Sequence, residues 1–304
     1  MLAIVVPYYK FTFFEETLQS LASQTDKRFK VYIGDDASIE NPNVLLKKFQ
    51  RKFNFVYHRF EENLGGTSLV KQWERCIELS NDEEWLMILG DDDVLGENVV
   101  EAFYANLLEI EKERINVVRF ASQLIDGSGV AISGLCIHPK LEKSTDFIIK
   151  KINKQTRSSL SEYVFEKEHA LKIGFKNFPL GWYADDMAIL DYSNYNLIYT
   201  INESRLLIRY DSYSLSGNDC NKIEKDIAKF SFFWLLYSQK IDKFNPSQVS
   251  LLRRYLLASF LNRIFIKHYL KILYYSINTG SFGLFVELNY GLLNYLKHES
   301  KIKQ

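Results

Sequence analysis

The run Leu86-Met87-Ile88-Leu89-Gly90-Asp91-Asp92-Asp93 sets four apolar residues, a glycine and three carboxylates in a row. A short apolar stretch with so abrupt a polar stop predicts a buried strand that delivers its acids to solvent at its carboxyl end. The pattern returns on working outward. Residues 30–34 predict a second strand, ending in Asp35-Asp36-Ala37-Ser38, and residues 2–7 an apolar first strand stopped at Pro7. Residues 55–58, 84–89 and 116–125 complete the set. Between them, residues 13–23, 44–53, 69–79 and 99–110 space their apolar side chains as helices do.

Strands alternating with helices at this spacing predict an α/β fold with a mostly parallel sheet flanked by helices. Ligands of such sheets bind beyond the carboxyl ends of the strands, where both acidic clusters lie. The middle of the chain is less regular. A strand over 160–165 and a short helix over 167–173 closed by Gly174 are expected. An aromatic, irregular stretch over 177–186 follows, then a helix over 187–192 and strands over 197–201 and 204–208. From about residue 220 helical patterns dominate, and no acid falls between Asp242 and Glu287, where Lys243, Arg253, Arg254, Arg263, Lys267 and Lys271 lie.

The 304 residues, 47% of them hydrophobic, suffice for a sizeable core, and 38 basic against 38 acidic side chains give no global pull toward nucleic acid. Three scattered cysteines (Cys76, Cys136 and Cys220) fit neither a disulfide framework nor a zinc site, and suit a reducing cytoplasm. Neither a signal peptide nor a spanning helix is expected. The histidines (His58, His138, His169, His268 and His298) show no metal spacing, and no glycine-rich phosphate loop is present.

Three adjacent acids repel one another, and a divalent cation offsets that charge; oxygen-only ligands suit Mg²⁺ or Mn²⁺. The triplet also reads as a solvated loop with Asp93 capping the next helix. Asp35-Asp36 would accept hydrogen bonds from a base or ribose, or form a turn. A further pair, in Trp182-Tyr183-Ala184-Asp185-Asp186, could supply a general base or simply favour a helix N-terminus.

With its first strand ending Pro7-Tyr8-Tyr9-Lys10, its second in Asp-Asp-x-Ser and its fourth in three aspartates, the chain resembles the family 2 glycosyltransferases of GT-A fold over about residues 1–216. The resemblance implies an inverting transfer from a nucleotide-diphospho-sugar, a UDP-sugar above all. It places Pro7, Tyr9, Asp35, Asp36 and Asp91 at the nucleotide. It makes Asp92, with Asp93, the ligand of Mn²⁺ or Mg²⁺. Asp186 becomes the catalytic base, with Asp185 beside it, and Trp182 and Tyr183 would stack on acceptor or donor sugar. Glu62-Asn63-Leu64-Gly65-Gly66 matches the family's Asn-x-Gly loop, and Lys71 or Arg75 would face the diphosphate or simply lie on a helix surface. In Arg209-Tyr210-Asp211-Ser212, Asp211 replaces the family's histidine, and Arg209 would contact phosphate or form a structural salt bridge.

The domains expected are a catalytic one over 1–216 (nucleotide and metal half 1–125, acceptor half 126–216) and a helical region over 217–304. A glycan or lipid-linked acceptor is implied, in polysaccharide or glycan biosynthesis. The basic aromatic stretch 245–285 would touch the inner face of the cytoplasmic membrane, pack on the catalytic domain or join a homo-oligomer. Two other readings stand beside this one. One is a catalytically inactive nucleotide- or glycan-binding module. The other is a nucleotidyltransferase, disfavoured because Tyr8-Tyr9-Lys10-Phe11 lacks the glycines of a phosphate loop.

Overall fold

The computed structural model describes residues 1–210 and 221–302. The chain divides into two compact units, Met1–Cys220 and Asn221–Gln304.

The first unit runs β1 (Leu2–Tyr8), α1 (Phe14–Ala22), β2 (Phe29–Asp35), α2 (Asn43–Lys47), β3 (Phe55–Arg59), α3 (Leu69–Ile77) and β4 (Trp85–Ile88). It continues β5 (Val94–Leu95), α4 (Val99–Lys112), β6 (Val117–Ile125), β7 (Leu141–Lys143), α5 (Ser144–Ile152), β8 (Tyr163–Glu166), α6 (Lys167–Ile173), α7 (Ala184–Tyr192) and β9 (Leu197–Arg209). These build one nine-stranded sheet in the order β3-β2-β1-β4-β8-β6-β9-β5, with β7 also paired to β9.

The apolar runs take the centre. Leu2 to Val6 and Val31 to Ile33 are wholly buried, and Leu86, Met87 and Leu89 join them. Packing of Phe14, Leu18 and Leu21 from α1 and of Val99, Val100 and Phe103 from α4 closes the main core. Removing side chains of this size from water, at ~25 cal/mol per Å², is what fixes the strands in place.

The parallel pairing expected from the sequence holds for β3, β2, β1 and β4. It reverses at β8, which is antiparallel to both β4 and β6. The cause is where β8 starts. The Ser161 hydroxyl accepts the Gly90 N–H at 3.0 Å, so the chain enters β8 from the carboxyl end of β4 and must run back along it. The sheet is therefore mixed, although β6 and β9 are again parallel.

Other boundaries also differ from expectation. Only Asn43–Lys47 of the stretch 44–53 is α-helical. Leu160–Glu162 is a 3-10 turn ahead of β8. The strands expected over 197–201 and 204–208 are one strand, β9, whose pairing with β6 shifts register between Phe120 and Ala121 and so absorbs residues 202–204 as a bulge. The edge pieces β5 and β7, two and three residues long, are too short to stand out in the sequence.

The second unit is helical: α8 (Lys222–Gln239), α9 (Pro246–Asn262), α10 (Ile266–Asn278) and α11 (Phe282–Ile302). A reciprocal cap starts α9: the Asn245 side chain accepts the Gln248 N–H, and the Gln248 side chain accepts the Asn245 N–H, both at 3.0 Å. No helix among the described residues is long and apolar enough to cross a membrane.

Candidate active site

The carboxyl ends of β1, β2 and β4 lie side by side, because Tyr8 pairs with Asp35 and Val5 with Ile88. This brings Pro7, Tyr9, Asp35, Asp36 and Asp91–Asp93 to one end of the sheet. Their side chains then part company.

Asp91 is a staple between strand ends. One of its oxygens accepts the backbone N–H groups of Tyr9 and Lys10, both at 2.8 Å. Burial and the neighbouring Asp92 push its pKa up to about 7. Asp93 is turned inward: it accepts the Ser161 hydroxyl at 2.5 Å and the Arg209 N–H at 2.9 Å. Burial, and then Asp92, push its pKa up to about 8. Asp92 lies half-buried at the turn. A Cβ on Gly90 would stand 2.9 Å from an Asp92 oxygen and 3.0 Å from an Asp93 oxygen, so the turn closes this tightly only over glycine.

Arg209 clasps the turn from the end of β9. Its Nε donates to the Asp92 carbonyl at 3.0 Å, Nη1 to the Asp126 carbonyl at 2.8 Å and Nη2 to Glu16 at 2.5 Å. The guanidinium also lies 4.0 Å from the centre of the Phe13 ring. Of the two roles open to Arg209, the structure shows the structural one. Asp211, next in the same segment, lies outside the described residues.

A metal at this tip meets a particular donor set. Among the described residues no three His, Cys, Asp or Glu side chains gather to hold an ion. Asp91 and Asp93 spend oxygens on protein donors, so of the triplet a cation would draw on Asp92. That fits an ion shared between one carboxylate, water and a ligand's diphosphate, as Mg²⁺ is commonly held; it does not fit a prebuilt three-acid cage.

The acids after β2 are also held. Asp35 is wholly buried; it accepts the Ser38 N–H at 2.8 Å, the Tyr57 hydroxyl at 2.6 Å and Arg59 Nη1 at 2.8 Å. Asp36 accepts the N–H of Leu64 at 2.7 Å and of Gly65 at 2.9 Å, and pairs with Arg75. A Cβ on Gly65 would come within 2.6 Å of Asp36, which explains the glycine in that loop. Arg75 therefore faces Asp36 and stacks over Phe60 at 3.9 Å, while Lys71 is exposed on α3.

The second acid pair opens α7. Leu180, Gly181 and Tyr183 all adopt left-handed backbone angles, φ 61°, 66° and 69°, which for leucine and tyrosine is strained. Such strain gathers at functional segments. Trp182 and Tyr183 are half-buried, and burial, followed by Asp186, pushes the Tyr183 hydroxyl up to about 12. Asp186 is 3% exposed and one of its oxygens accepts Lys151 Nζ at 2.5 Å. Its Oδ2 accepts no hydrogen bond among the described residues. Asp185 is more open and lies 3.8 Å from Lys151. Burial pushes Asp186 up to about 6 in spite of Lys151.

The turn Leu160–Glu162 joins the two acid sites. Ser161 holds Asp93, and the pKa of the next residue, Glu162, is pushed up to about 7 by burial, against which Arg157, Ser122 and then Lys151 favour its anion. Ser161, Lys151, Tyr57 and Arg59 carry no motif. Lys151 sits in a Lys150-Lys151 doublet that reads as an ordinary basic helix end.

A glycine-closed acid turn at a strand end, a held acid loop beside it and a strained segment leading into a buried acid pair, all on this sheet, define a GT-A-like fold. The family model for glycosyl transferase family 2 matches residues 3–155, and the chain belongs to that family. It is similar to glycosyltransferase GlyG of Streptococcus pneumoniae, 26% identical over 110 residues, 36% of each chain. It is also similar to the uncharacterized glycosyltransferase MG060 of Mycoplasma genitalium, 28% identical over 125 residues, 39% of this chain and 40% of that one. The matches thus span well under half of these relatives. Among solved structures, S. aureus TarS 1–349 in complex with UDP-GlcNAc superposes with a TM-score of 0.63 at 14% identity, covering 88% of this chain and 76% of that one. At that identity the likeness is one of fold.

Replacing Arg209 with methionine should cost stability. Its side chain is fully buried and the change strands the Asp126 and Asp92 carbonyls as acceptors, while the half-exposed Glu16 returns to water. A loss of about 2–4 kcal/mol is expected in urea unfolding. A loss below ~0.5 kcal/mol, the size of an ordinary surface change, would show the clasp to be dispensable.

Proposed function

We propose that the protein is an inverting glycosyltransferase. It would move a sugar from a nucleoside diphosphate sugar, a UDP-sugar first among them, to an acceptor hydroxyl in polysaccharide or glycan biosynthesis. The observation that carries this reading is the buried Asp186, with one oxygen held by Lys151 and the other uncommitted, on a sheet of this family beside an acid turn.

The residues divide the work. Pro7 and Tyr9 line the donor's base, and Asp36 and Asp35 hold the loop against which it lies. Asp92 would hold Mn²⁺ or Mg²⁺ together with the donor's diphosphate. An ion so held offsets the negative charge of the leaving group. Trp182 and Tyr183 pack on a sugar face.

In the transfer, the acceptor oxygen attacks the anomeric carbon with its lone pair while the bond from that carbon to the diphosphate oxygen breaks. The nucleoside diphosphate leaves with the bonding electrons, and the acceptor's proton passes to Asp186 Oδ2. A base with a pKa near 6 is ionised at neutral pH yet still takes up a proton well. One displacement from the opposite face inverts the anomeric centre.

Melting temperatures should rise with one of UDP, GDP, CDP or dTDP in the presence of Mn²⁺, since a ligand of the folded form stabilises it by mass action. Asp92→Ala should lose the metal-dependent part of that rise. No rise with any nucleotide would sink the donor site. Asp186→Asn should keep the nucleotide-induced rise and lose sugar transfer by ~10²-fold or more. Transfer at the wild-type rate would move the base to Asp185, and nucleotide binding without turnover by the wild type would favour an inactive binding module.

The helical unit adds a proposed membrane contact. Ile266, Leu270, Tyr274 and Ile277 on α10 are exposed, and Phe282, Val286, Tyr290 and Leu293 on α11 repeat their spacing, also exposed. Beside the α10 stripe stand the exposed Lys267 and Lys271. An apolar stripe flanked by lysines suits a helix lying in an anionic lipid surface, which supports a place at the inner face of the cytoplasmic membrane. Flotation with vesicles containing phosphatidylserine should exceed that with neutral vesicles and fall on Tyr274→Glu. Equal flotation with both would refute the contact.

A further inference from the structure

We infer that Lys151, which no motif marks, is a positioning residue for the transfer: from the end of α5 its ammonium grips one oxygen of Asp186, leaves the other to the acceptor's proton, and keeps the acid pair from sharing a proton. This rests on the reading of Asp186 as base.

The geometry comes first. Lys151 Nζ lies 2.5 Å from Asp186 Oδ1 and 3.8 Å from Asp185 Oδ2, so one cation serves two adjacent carboxylates. The Lys151 side chain is mostly buried, and that of Asp186 almost wholly so. A short contact from a lysine rooted in another helix restrains the rotation of Asp186 and fixes which oxygen is left without a lysine donor. The last turn of α5 suits the cation, since a helix carboxyl end favours positive charge.

The electrostatics follow from the same contacts. Two carboxylates at consecutive positions, one of them buried, would bind a shared proton if left alone, as close acid pairs do. A protonated pair is no base. The groups facing the site are Lys151 from α5, Asp185 and Asp186 from α7, Tyr183 ahead of α7, Tyr163 from β8 and Glu162 from the turn before it. Arg157 pairs with Glu162 at 3.1 Å and Arg119 acts on Tyr163, and Lys151 is the cation that acts on Asp186 itself. Burial opposes the charge on Lys151, but Asp186 and Asp185 outweigh it and lift its pKa well above the ordinary lysine value. Lys151 therefore stays charged throughout the range in which the pair titrates.

The sign is then fixed. Removing the cation makes Asp186 hold its proton to higher pH. The acid limb of the rate profile, where activity rises as the base ionises, must move to higher pH, by about one unit or more for an opposite charge at this distance. At neutral pH the rate falls, and alkaline buffer restores part of it. Lys151→Arg, which keeps the charge, should leave the limb near its wild-type position.

The test uses the full chain and two readouts. The first is the pH dependence of UDP release from UDP-GlcNAc, with water as acceptor, in wild type, Lys151→Met and Lys151→Arg. The second needs no turnover: the carbon-13 signal of the Asp186 carboxyl, assigned by its loss in Asp186→Asn, titrated in wild type and Lys151→Met. A raised midpoint in Lys151→Met together with a displaced acid limb is the expected result. An unmoved midpoint, or a rate lowered equally at every pH, would overturn the inference and make Lys151 a structural ion pair only. If Lys151→Met does not fold, an acid limb in Lys151→Arg displaced as far as one unit would overturn it equally. Absence of nucleotide release from the wild type, with the carboxyl midpoint still moving, would instead count against the transferase reading.

Discussion

Negative charge gathered at one end of a sheet has to be held, and most of the site's architecture follows from how it is held. Asp35, Asp36, Asp91, Asp93 and Asp186 are drawn partly or wholly out of water. Each such group costs free energy unless donors surround it. The donors come from elsewhere in the chain: the amides after β1 for Asp91, Tyr57 and Arg59 of β3 for Asp35, the loop amides of Leu64 and Gly65 for Asp36, Ser161 and Arg209 for Asp93, Lys151 for Asp186. Satisfying the acids ties the loops down.

The same account explains what could be read from the amino acids alone. Apolar runs and helical spacing depend on neighbours a few residues away, and they placed β1 to β4 and the flanking helices. Strand direction at β8 depends on where the chain re-enters the sheet, a matter settled by Ser161 and Gly90, which lie 71 positions apart. No local pattern carries that. Likewise Asp35 and Asp93 stand out as acids, but their inward turn is written in Tyr57, Arg59 and Ser161, residues that look ordinary in sequence. The acid pair Asp185-Asp186 was visible, and the lysine that sets it was not, because a basic residue near a helix end is what any solvated helix would carry.

The two acid sites also differ in kind. At the strand-end turn the protein meets Asp91 and Asp93 with neutral donors, backbone amides for the one and a hydroxyl and an amide for the other. At the head of α7 it supplies a full cation, which offsets one of the pair's two negative charges. The turn Leu160–Glu162 touches both arrangements, with Ser161 on Asp93 and Glu162 in the field of Lys151.

The glycine-closed turn has a consequence for comparing sequences. Three aspartates in a row invite the conclusion that three equivalent acids serve one purpose. In this turn the outer two are fasteners, each cut to length by what it reaches, and the middle one lies half-buried at the bend. Lengthening either fastener by one methylene would leave its charge unchanged and its reach wrong. Among sequences sharing this turn, a change at either outer acid therefore speaks of how the loops are laced together, and scoring the three alike would hide a redrawn scaffold.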